Sequence, residues 1–260
     1  MASEPQAASR PVTRYIAAYD TERAGDCLAA CKRLRAVHEE FGFPATFFIV
    51  GKRLEEEGAE YRAVLGDVPE FEIASHTYSH IILRDHPFCG QTPDQETRRR
   101  EVWLGKELVE QTFGRPCTGL RPGCGFHNAL RGDPWLIETV AGAGYRYVSS
   151  LLWGPETTVP ALLEKPFCYD GEGHPDLWEL PGHGWHENLL KAHNLTVNVR
   201  RIIAWPSPFP LPPHGGEVLD HSCDRIHSMS AAWSVEPPGV STTTGACASR
   251  ITRIRSLGGI

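Results

Sequence analysis

The stretch EIASHTYSH (Glu72–His80) ends an apolar run with two histidines four residues apart, His76 and His80. In an extended strand two such positions share a face but lie about 13 Å apart, which is too far for one ion. In a helical turn the same positions are neighbours, with about 5–6 Å between their Cβ atoms. We therefore predict that the strand ends near His76 and that the chain then turns, so that both imidazoles can bind one metal. Taken alone, the pair is equally compatible with one surface histidine and one hydrogen-bonded histidine.

The overall composition indicates a globular chain and argues against two classes of partner. The 260 residues are 41% hydrophobic and 22% charged, with a formal net charge of −6. This charge does not favour nucleic acid or an anionic membrane surface. No apolar run approaches the roughly 20 residues that span a bilayer, and the first residues show no apolar signal segment. We therefore expect a cytoplasmic protein, with its eight cysteines mostly reduced.

Short apolar runs alternate with amphipathic segments along the first three quarters of the chain. We predict strands at 13–20, 45–50, 71–75, 118–120, 146–150 and 177–180. We predict helices at 23–42, 52–65, 93–113, 133–143 and 187–203. This alternation predicts an α/β fold with a parallel sheet or barrel and crossover helices. We expect residues 1–12 to be a disordered leader, 13–203 to be the barrel domain, and 204–260 to be an irregular tail rich in Pro, Gly and Ser.

Polar residues follow three of the predicted strands and are the candidates for chemistry. Asp20, His76 and Arg121 each stand where a strand ends, and in parallel α/β folds function lies at the carboxyl ends of strands. Asp20 and Glu22 are two residues apart, so in extended backbone they point to the same face. One of these carboxylates can then bind a metal while the other acts as a base. Alone, an acid after a strand is more often a cap or a solvated turn residue.

Five stretches share a pattern with one enzyme family. They are YDTE (Tyr19–Glu22), ATFFIVG (Ala45–Gly51), SHTYSH (Ser75–His80), LRPGCG (Leu120–Gly125) and LWELP (Leu177–Pro181). Together they resemble the polysaccharide deacetylases, the NodB-homology carbohydrate esterases of family 4, over residues 13–190. The resemblance is most specific in SHTYSH, which matches the family's His-[Ser/Thr]-x-x-His metal motif.

The resemblance implies a fold, a metal and roles for the candidate residues. It implies a distorted (β/α)7-type barrel with one divalent metal ion, for which we expect zinc. From the composition of the tail we expect this barrel to be incomplete or irregular at its C-terminus. His76 and His80 carry over as ligands and Asp20 as the catalytic base, with Arg121 orienting Asp20. The family's metal-binding Asp falls on Thr21, so we expect Glu22 to be the third ligand, or the roles of Asp20 and Glu22 to be exchanged.

Two further family motifs differ in this chain. Gly123 and Cys124 stand where the arginine motif usually has Pro and Tyr. The family's Leu-x-His motif, which supplies an acid histidine, has only a loose match at Val218–His221, and His183, His186 and His214 have no better claim. Trp185, between a glycine and a histidine, is our candidate for substrate binding.

The expected activity is hydrolysis of a carbon–nitrogen bond other than a peptide bond. The first hypothesis is a metal-dependent deacetylase acting on an N-acetylated sugar or polysaccharide. The second keeps the metal but takes a small amide, as do relatives that open cyclic imides or ureides. The third is a glycan-binding descendant without catalysis, which the tail and the missing last motif favour.

Overall fold

A computed structural model describes residues 12–87, 89–154, 164–182 and 228–235. Within these ranges the chain forms eight strands and four helices. The strands are β1 (Val12–Thr21), β2 (Ala45–Ile49), β3 (Phe71–Ser75), β4 (Gly119–Leu120), β5 (Tyr147–Val148), β6 (Phe167–Tyr169), β7 (His174–Glu179) and β8 (Ser228–Val235). The helices are α1 (Asp26–Phe41), α2 (Gly51–Leu65), α3 (Gln95–Phe113) and α4 (Pro134–Gly142).

The strands form one mostly parallel sheet, which confirms the α/β class. Its order is β6-β7-β5-β4-β3-β2-β1-β8. Along the chain, each connection from β1 to β5 contains one helix. β6 pairs antiparallel with β7, and β8 pairs antiparallel with β1. Within the described ranges the sheet is open, with β6 and β8 at its edges. The near-sequential order of β1 to β5 is that of a barrel wall and brings the carboxyl ends of these strands to one edge.

The centre of the sheet is buried on both faces. All five residues of β2 are buried, and Phe47 and Ile49 are fully enclosed. Phe47 and Ile49 pack with residues of the helices, whereas Phe48 packs with side chains of other strands. A parallel strand that is buried on both faces reads as a continuous apolar run, which is how ATFFI appears in the sequence. The same core includes Phe71 of β3 and Val109 of α3. This packing makes the central strands a rigid support for the residues that follow them.

The helix ends follow from local sequence signals. α1 ends at Gly42 and α3 ends at Gly114, both in the left-handed conformation that glycine adopts without a Cβ penalty. The Asp94 side chain accepts a hydrogen bond from Thr97 N at the start of α3. Pro134 begins α4. The helices predicted at 23–42, 93–113 and 133–143 thus form, with ends within three residues of the predicted ones.

The structure adds elements that the pattern did not predict. β6 has three residues, too few for periodicity to reveal. β8 lies within the segment expected to be an irregular tail. The predicted helix at 187–203 falls outside the described residues, and the division of the chain at residues 12 and 203 stays a prediction. No helix in the part of the chain that the structure describes has the length and apolar character needed to cross a bilayer.

The expectation of mostly reduced thiols is wrong for three cysteines of the described residues, Cys89, Cys124 and Cys168, each of which is disulfide-bonded. Cys89 and Cys124 form a disulfide across a sequence separation of 35 residues. The sequence gives no spacing signal for this pair, because the fold alone brings the segment after β3 to the loop after β4. Cys27, Cys31 and Cys117 are buried and free, as expected for structural thiols.

Candidate metal centre

The candidate site forms at the edge of the sheet where β1, β3 and β4 end. His76 N donates to Ile49 O at the end of β2, and Arg121 N donates to Ser75 O at the end of β3. The sheet ladder therefore continues one residue past β3 and β4 and fixes the backbone of His76 and Arg121. Because all these strands are parallel, their last residues lie at the same edge.

The chain leaves strand geometry directly after His76, as the four-residue spacing predicted. Thr77 and His80 have φ angles of 62° and 67°, in the left-handed region that residues with a Cβ seldom enter. His80 N donates to Thr77 Oγ1 across the turn at 3.1 Å. Gly51 N at the start of α2 donates to Thr77 O at 2.9 Å. The turn places the two imidazoles edge to face, with 4.6 Å between their ring centroids.

Three donor atoms converge at this edge. Glu22 Oε1 lies 3.4 Å from His76 Nε2 and 3.3 Å from His80 Nε2. One ligand atom from each of these residues lies within 4.8 Å of the others. The structure thus brings together the three residues that sequence reasoning named as ligands.

The tautomer of His76 follows from its second ring nitrogen. His76 Nδ1 lies 2.7 Å from Arg121 O in the buried part of the site. A carbonyl oxygen only accepts, so Nδ1 must carry the proton and donate it. Nε2 is then the ring nitrogen that faces Glu22, and a metal-binding histidine uses the same division, with one nitrogen bound to a carbonyl and the other turned to the metal.

The electrostatics of the cluster are those of a carboxylate between two imidazoles. Burial alone would raise the pKa of Glu22, but hydrogen bonds to His76 and His80 and the charges of both rings hold it well below its usual range. Burial alone would lower the pKa of His80, but the hydrogen bond to Glu22 and the nearby negative charges raise it. The cluster therefore favours positive charge next to Glu22, as a cation site does.

Asp20 lies beside the three donors but is held by Arg121. Arg121 Nη1 donates to Asp20 Oδ1 at 2.6 Å, and Nη2 donates to Ser149 Oγ at 3.0 Å. The guanidinium also lies 4.0 Å from the centre of the Phe48 ring. Asp20 Oδ2 remains on the side of the cluster, 3.9 Å from His76 Nε2. Of the two carboxylates, Glu22 is the nearer to both imidazoles.

Thr21 points away from this cluster. Its side chain is fully buried, and its hydroxyl donates to Phe48 O at 3.2 Å. The alternation of a strand explains the arrangement: Asp20 and Glu22 share one face, and Thr21 takes the other. The side chain that faces the two imidazoles is therefore that of position 22 and not that of position 21.

The spacing of the donors fits a metal ion. Two ligand atoms about 2.1 Å from zinc at a tetrahedral angle are about 3.4 Å apart. The distances from Glu22 Oε1 to the two imidazole nitrogens, 3.4 and 3.3 Å, have this length. Two imidazoles and one carboxylate also form a donor set that catalytic zinc sites use, with a position left for water.

Sequence reasoning gave no role in the site to three residues that support it. Ser149 binds Arg121, and Glu101 of α3 binds Ser79 within the histidine turn. Gly123 lies against His80, because a Cβ built there would be 2.9 Å from His80 O and 3.3 Å from its Nε2. None of these has a local sequence signal, since each contact joins distant segments. Trp185 and the other late histidines, His183, His186, His214 and His221, lie outside the described residues.

The part of the chain that contains most of this site matches the sequence pattern of one protein family. Residues 25–148 match the polysaccharide deacetylase family. The match includes His76, His80 and Arg121, and it begins just after Asp20 and Glu22. No curated protein matches the chain in sequence.

Solved structures give partial similarities. A Mycobacterium smegmatis protein assigned as a polysaccharide deacetylase is 25% identical with a TM-score of 0.40, over 58% of this chain and 44% of that one. A family 4 carbohydrate esterase pseudoenzyme from Bacillus anthracis is 13% identical with a TM-score of 0.40, over 51% and 41%. Puue allantoinase is 14% identical with a TM-score of 0.43, over 67% and 55%. The chain spans about half the length of each of these proteins.

Proposed function

We propose that the chain removes acetyl groups from an N-acetylated sugar or polysaccharide with one divalent ion, zinc. The match of residues 25–148 to the polysaccharide deacetylase family supports this proposal. The observation that supports this most directly is the convergence of Glu22, His76 and His80 beside the buried Asp20–Arg121 pair. Hydrolysis of an amide by water needs groups that bind a metal and a carboxylate fixed beside them, and this cluster contains both.

Glu22, His76 and His80 would hold the ion, which when bound supplies a Lewis acid and lowers the pKa of a water ligand to about 7. The orientation of His76 is set by the hydrogen bond from Nδ1 to Arg121 O, so its Nε2 stays available. The charge of Glu22 lies between the two rings and offsets part of the charge of a cation.

Asp20 serves as the base in this proposal. Its Oδ1 is engaged by Arg121, which leaves Oδ2 on the side of the donor cluster to accept a proton from the attacking water. The water oxygen forms a bond to the acetyl carbon, and the carbon–nitrogen bond then breaks. The proton held at Asp20 Oδ2 passes to the departing nitrogen, so that the products are acetate and an amine. The hydrogen bond from Arg121 Nη1 to Asp20 Oδ1 holds this carboxyl group in place through these steps.

Two parts of the expectation stay predictions. The substrate contact expected from Trp185 falls on a residue outside the described ranges. A cytoplasmic location was expected from the sequence, but the Cys89–Cys124 disulfide is of the kind that persists in oxidising compartments.

The experiment compares wild type with the double variant His76→Ala, His80→Ala. The wild-type chain should bind close to one zinc per molecule and release acetate from N-acetylglucosamine oligomers, and the double variant should do neither. A matched control is the double variant His127→Ala, His174→Ala, which removes two histidines outside the cluster. Zinc content by elemental analysis and acetate by a coupled assay give two independent readings.

Three results would contradict the proposal. Wild-type protein that holds no divalent ion after incubation with zinc would refute the metal centre. Acetate release that persists in the double variant would refute the site. Zinc binding with ring opening of cyclic imides, and no acetate from any glycan, would assign the small-amide alternative instead.

A further inference from the structure

Helix α3 packs directly against the turn that carries His76 and His80. Gly105, in the middle of α3, lies so close to this turn that a Cβ at its position would be 2.6 Å from Thr77 C and 2.7 Å from Ser75 Oγ. A contact with a backbone atom at this distance cannot be relieved by a rotamer change. The helix can therefore support the turn only because residue 105 is glycine.

Glu101 lies one helical turn before Gly105 and contacts the same turn with a charged group. Its side chain is 4% exposed, and its carboxylate accepts two hydrogen bonds from Ser79, one from the backbone N and one from Oγ, both at 2.7 Å. Each oxygen of the carboxylate takes one of these bonds. Hydrogen bonds to an ionised acceptor are about twice as strong as neutral ones.

The turn that Glu101 contacts holds a backbone that needs support. Thr77 and His80 both have positive φ angles, and Thr77 is β-branched, for which this region is especially unfavourable. Such conformations persist where surrounding contacts determine them. Ser79 lies between Thr77 and His80, and both its backbone N and its side chain are hydrogen-bonded to α3.

We infer that Glu101 is a positioning residue of the metal centre: its carboxylate holds Ser79 and so keeps His80 Nε2 within reach of Glu22. The inference rests on the proposed metal site. Glu101 is the charged member of the buried set of α3, whose other members are Val102, Gly105, Val109 and Phe113. A buried carboxylate costs more than an apolar side chain unless it is bound, and here both of its oxygens bind the histidine turn.

The test measures the zinc dissociation constant of folded variants. Glu101→Ala removes both hydrogen bonds and should weaken zinc binding by about 10–100-fold, the range found for partners of metal ligands. Glu101→Gln keeps an acceptor for Ser79 N, and Ser79→Ala keeps the backbone hydrogen bond, so both should show smaller increases. Glu107→Ala changes an exposed acid on the same helix and should leave the constant within twofold of wild type.

A second reading separates positioning from a general loss of stability. Cobalt bound in place of zinc reports the geometry of its ligands, so its visible absorption should change in Glu101→Ala and stay unchanged in Glu107→Ala. Circular dichroism of the metal-free variants identifies a temperature at which each is folded, and all constants are compared there.

The outcomes distinguish this inference from the proposal beneath it. If wild type binds zinc and Glu101→Ala binds it equally tightly with the same cobalt spectrum, the inference is wrong and the metal centre stands. If Glu101→Ala does not fold, zinc dissociation constants that are unchanged in both Glu101→Gln and Ser79→Ala overturn the inference. If wild type binds no zinc, the metal centre itself fails.

Discussion

Arg121 and Asp20 form a buried ion pair between residues 101 positions apart in the sequence. The hydrogen bond from Nη1 to Oδ1 is 2.6 Å long, and the two residues are 3% and 8% exposed. The pair joins the end of β4 to the end of β1 across β2 and β3. It therefore stabilises this edge of the sheet and also orients the carboxylate proposed as the base.

Replacing Asp20 by Asn should separate catalysis from metal binding. We expect kcat for acetate release to fall by about 10²–10⁴-fold, because the amide cannot take the proton from water. The zinc dissociation constant should change little, since Glu22 and not Asp20 lies nearest to both imidazoles. Steady-state kinetics and zinc titration of the same preparation check both statements, and a variant with wild-type kcat would remove Asp20 from the mechanism.

Replacing Arg121 by Ala should cost stability as well as activity. The change leaves the Asp20 carboxylate buried without its charged partner, and breaking such a pair costs about 3–5 kcal/mol of unfolding free energy. Urea unfolding of the metal-free protein gives this value. Arg115→Ala is a useful comparison, because it removes an arginine bound to a backbone carbonyl, Phe71 O, away from the site. A loss for Arg121→Ala no larger than that of Arg115→Ala would speak against a strong buried pair.

Position 22, and not position 21, should control metal affinity. Glu22→Gln should weaken zinc binding by more than about 100-fold, since losing a direct ligand exceeds the usual cost of losing one of its partners. Thr21→Ala is the matched control at the adjacent residue: its hydroxyl faces Phe48 O, so only about 1 kcal/mol of stability should be lost. Equal zinc constants for Glu22→Gln and wild type would show that another group completes the donor set.

Glu179 predicts a pH dependence of stability. Burial raises the pKa of this carboxyl above its ordinary value of 4.5, although hydrogen bonds from Tyr169, Leu151 and Ser150 oppose the rise. The folded state then holds the proton more tightly than the unfolded state, so the group's contribution to stability falls as pH rises above 4.5. Glutamine does not titrate.

We therefore expect the unfolding free energy of wild type to fall relative to that of Glu179→Gln as the pH rises above 4.5. Urea unfolding of both proteins at several pH values measures the difference. Parallel curves would show that the hydrogen bonds balance the effect of burial, and a rise in wild type relative to the variant would show that they outweigh it. Because Glu179 binds Ser150 N, beside the Ser149 that holds Arg121, the same series reports on the support behind the site.

Much of the site's placement could be predicted from sequence because it depends on local spacing. The four-residue interval between His76 and His80 requires a turn, and the two-residue interval between Asp20 and Glu22 requires a shared face. Both arrangements occur in the structure. The alternation of strands and helices likewise located the central strands to within about three residues.

The rest could not be predicted because it depends on contacts between distant segments. Glu101 lies on a helix with many charged residues, so its sequence context suggests a solvent-exposed side chain. Only the packing of α3 against Ser79 shows that Glu101 is buried. The Cys89–Cys124 disulfide similarly has no sequence signature. Gly105 reads as a helix weakness, whereas the close approach of Thr77 makes it a requirement.

The Cys89–Cys124 bond closes a covalent ring that contains all of α3 and β4, and hence Glu101, Gly105 and Arg121. The groups that hold the histidine turn and the proposed base are thus tethered to one another even when the chain is unfolded. A ring of this size limits the unfolded ensemble by about 4 kcal/mol in the chain-entropy description. A host cell that keeps thiols reduced would therefore produce the same polypeptide without this restraint. The activity of protein purified from oxidising expression should be compared with that from reducing expression before low activity is attributed to the active-site sequence.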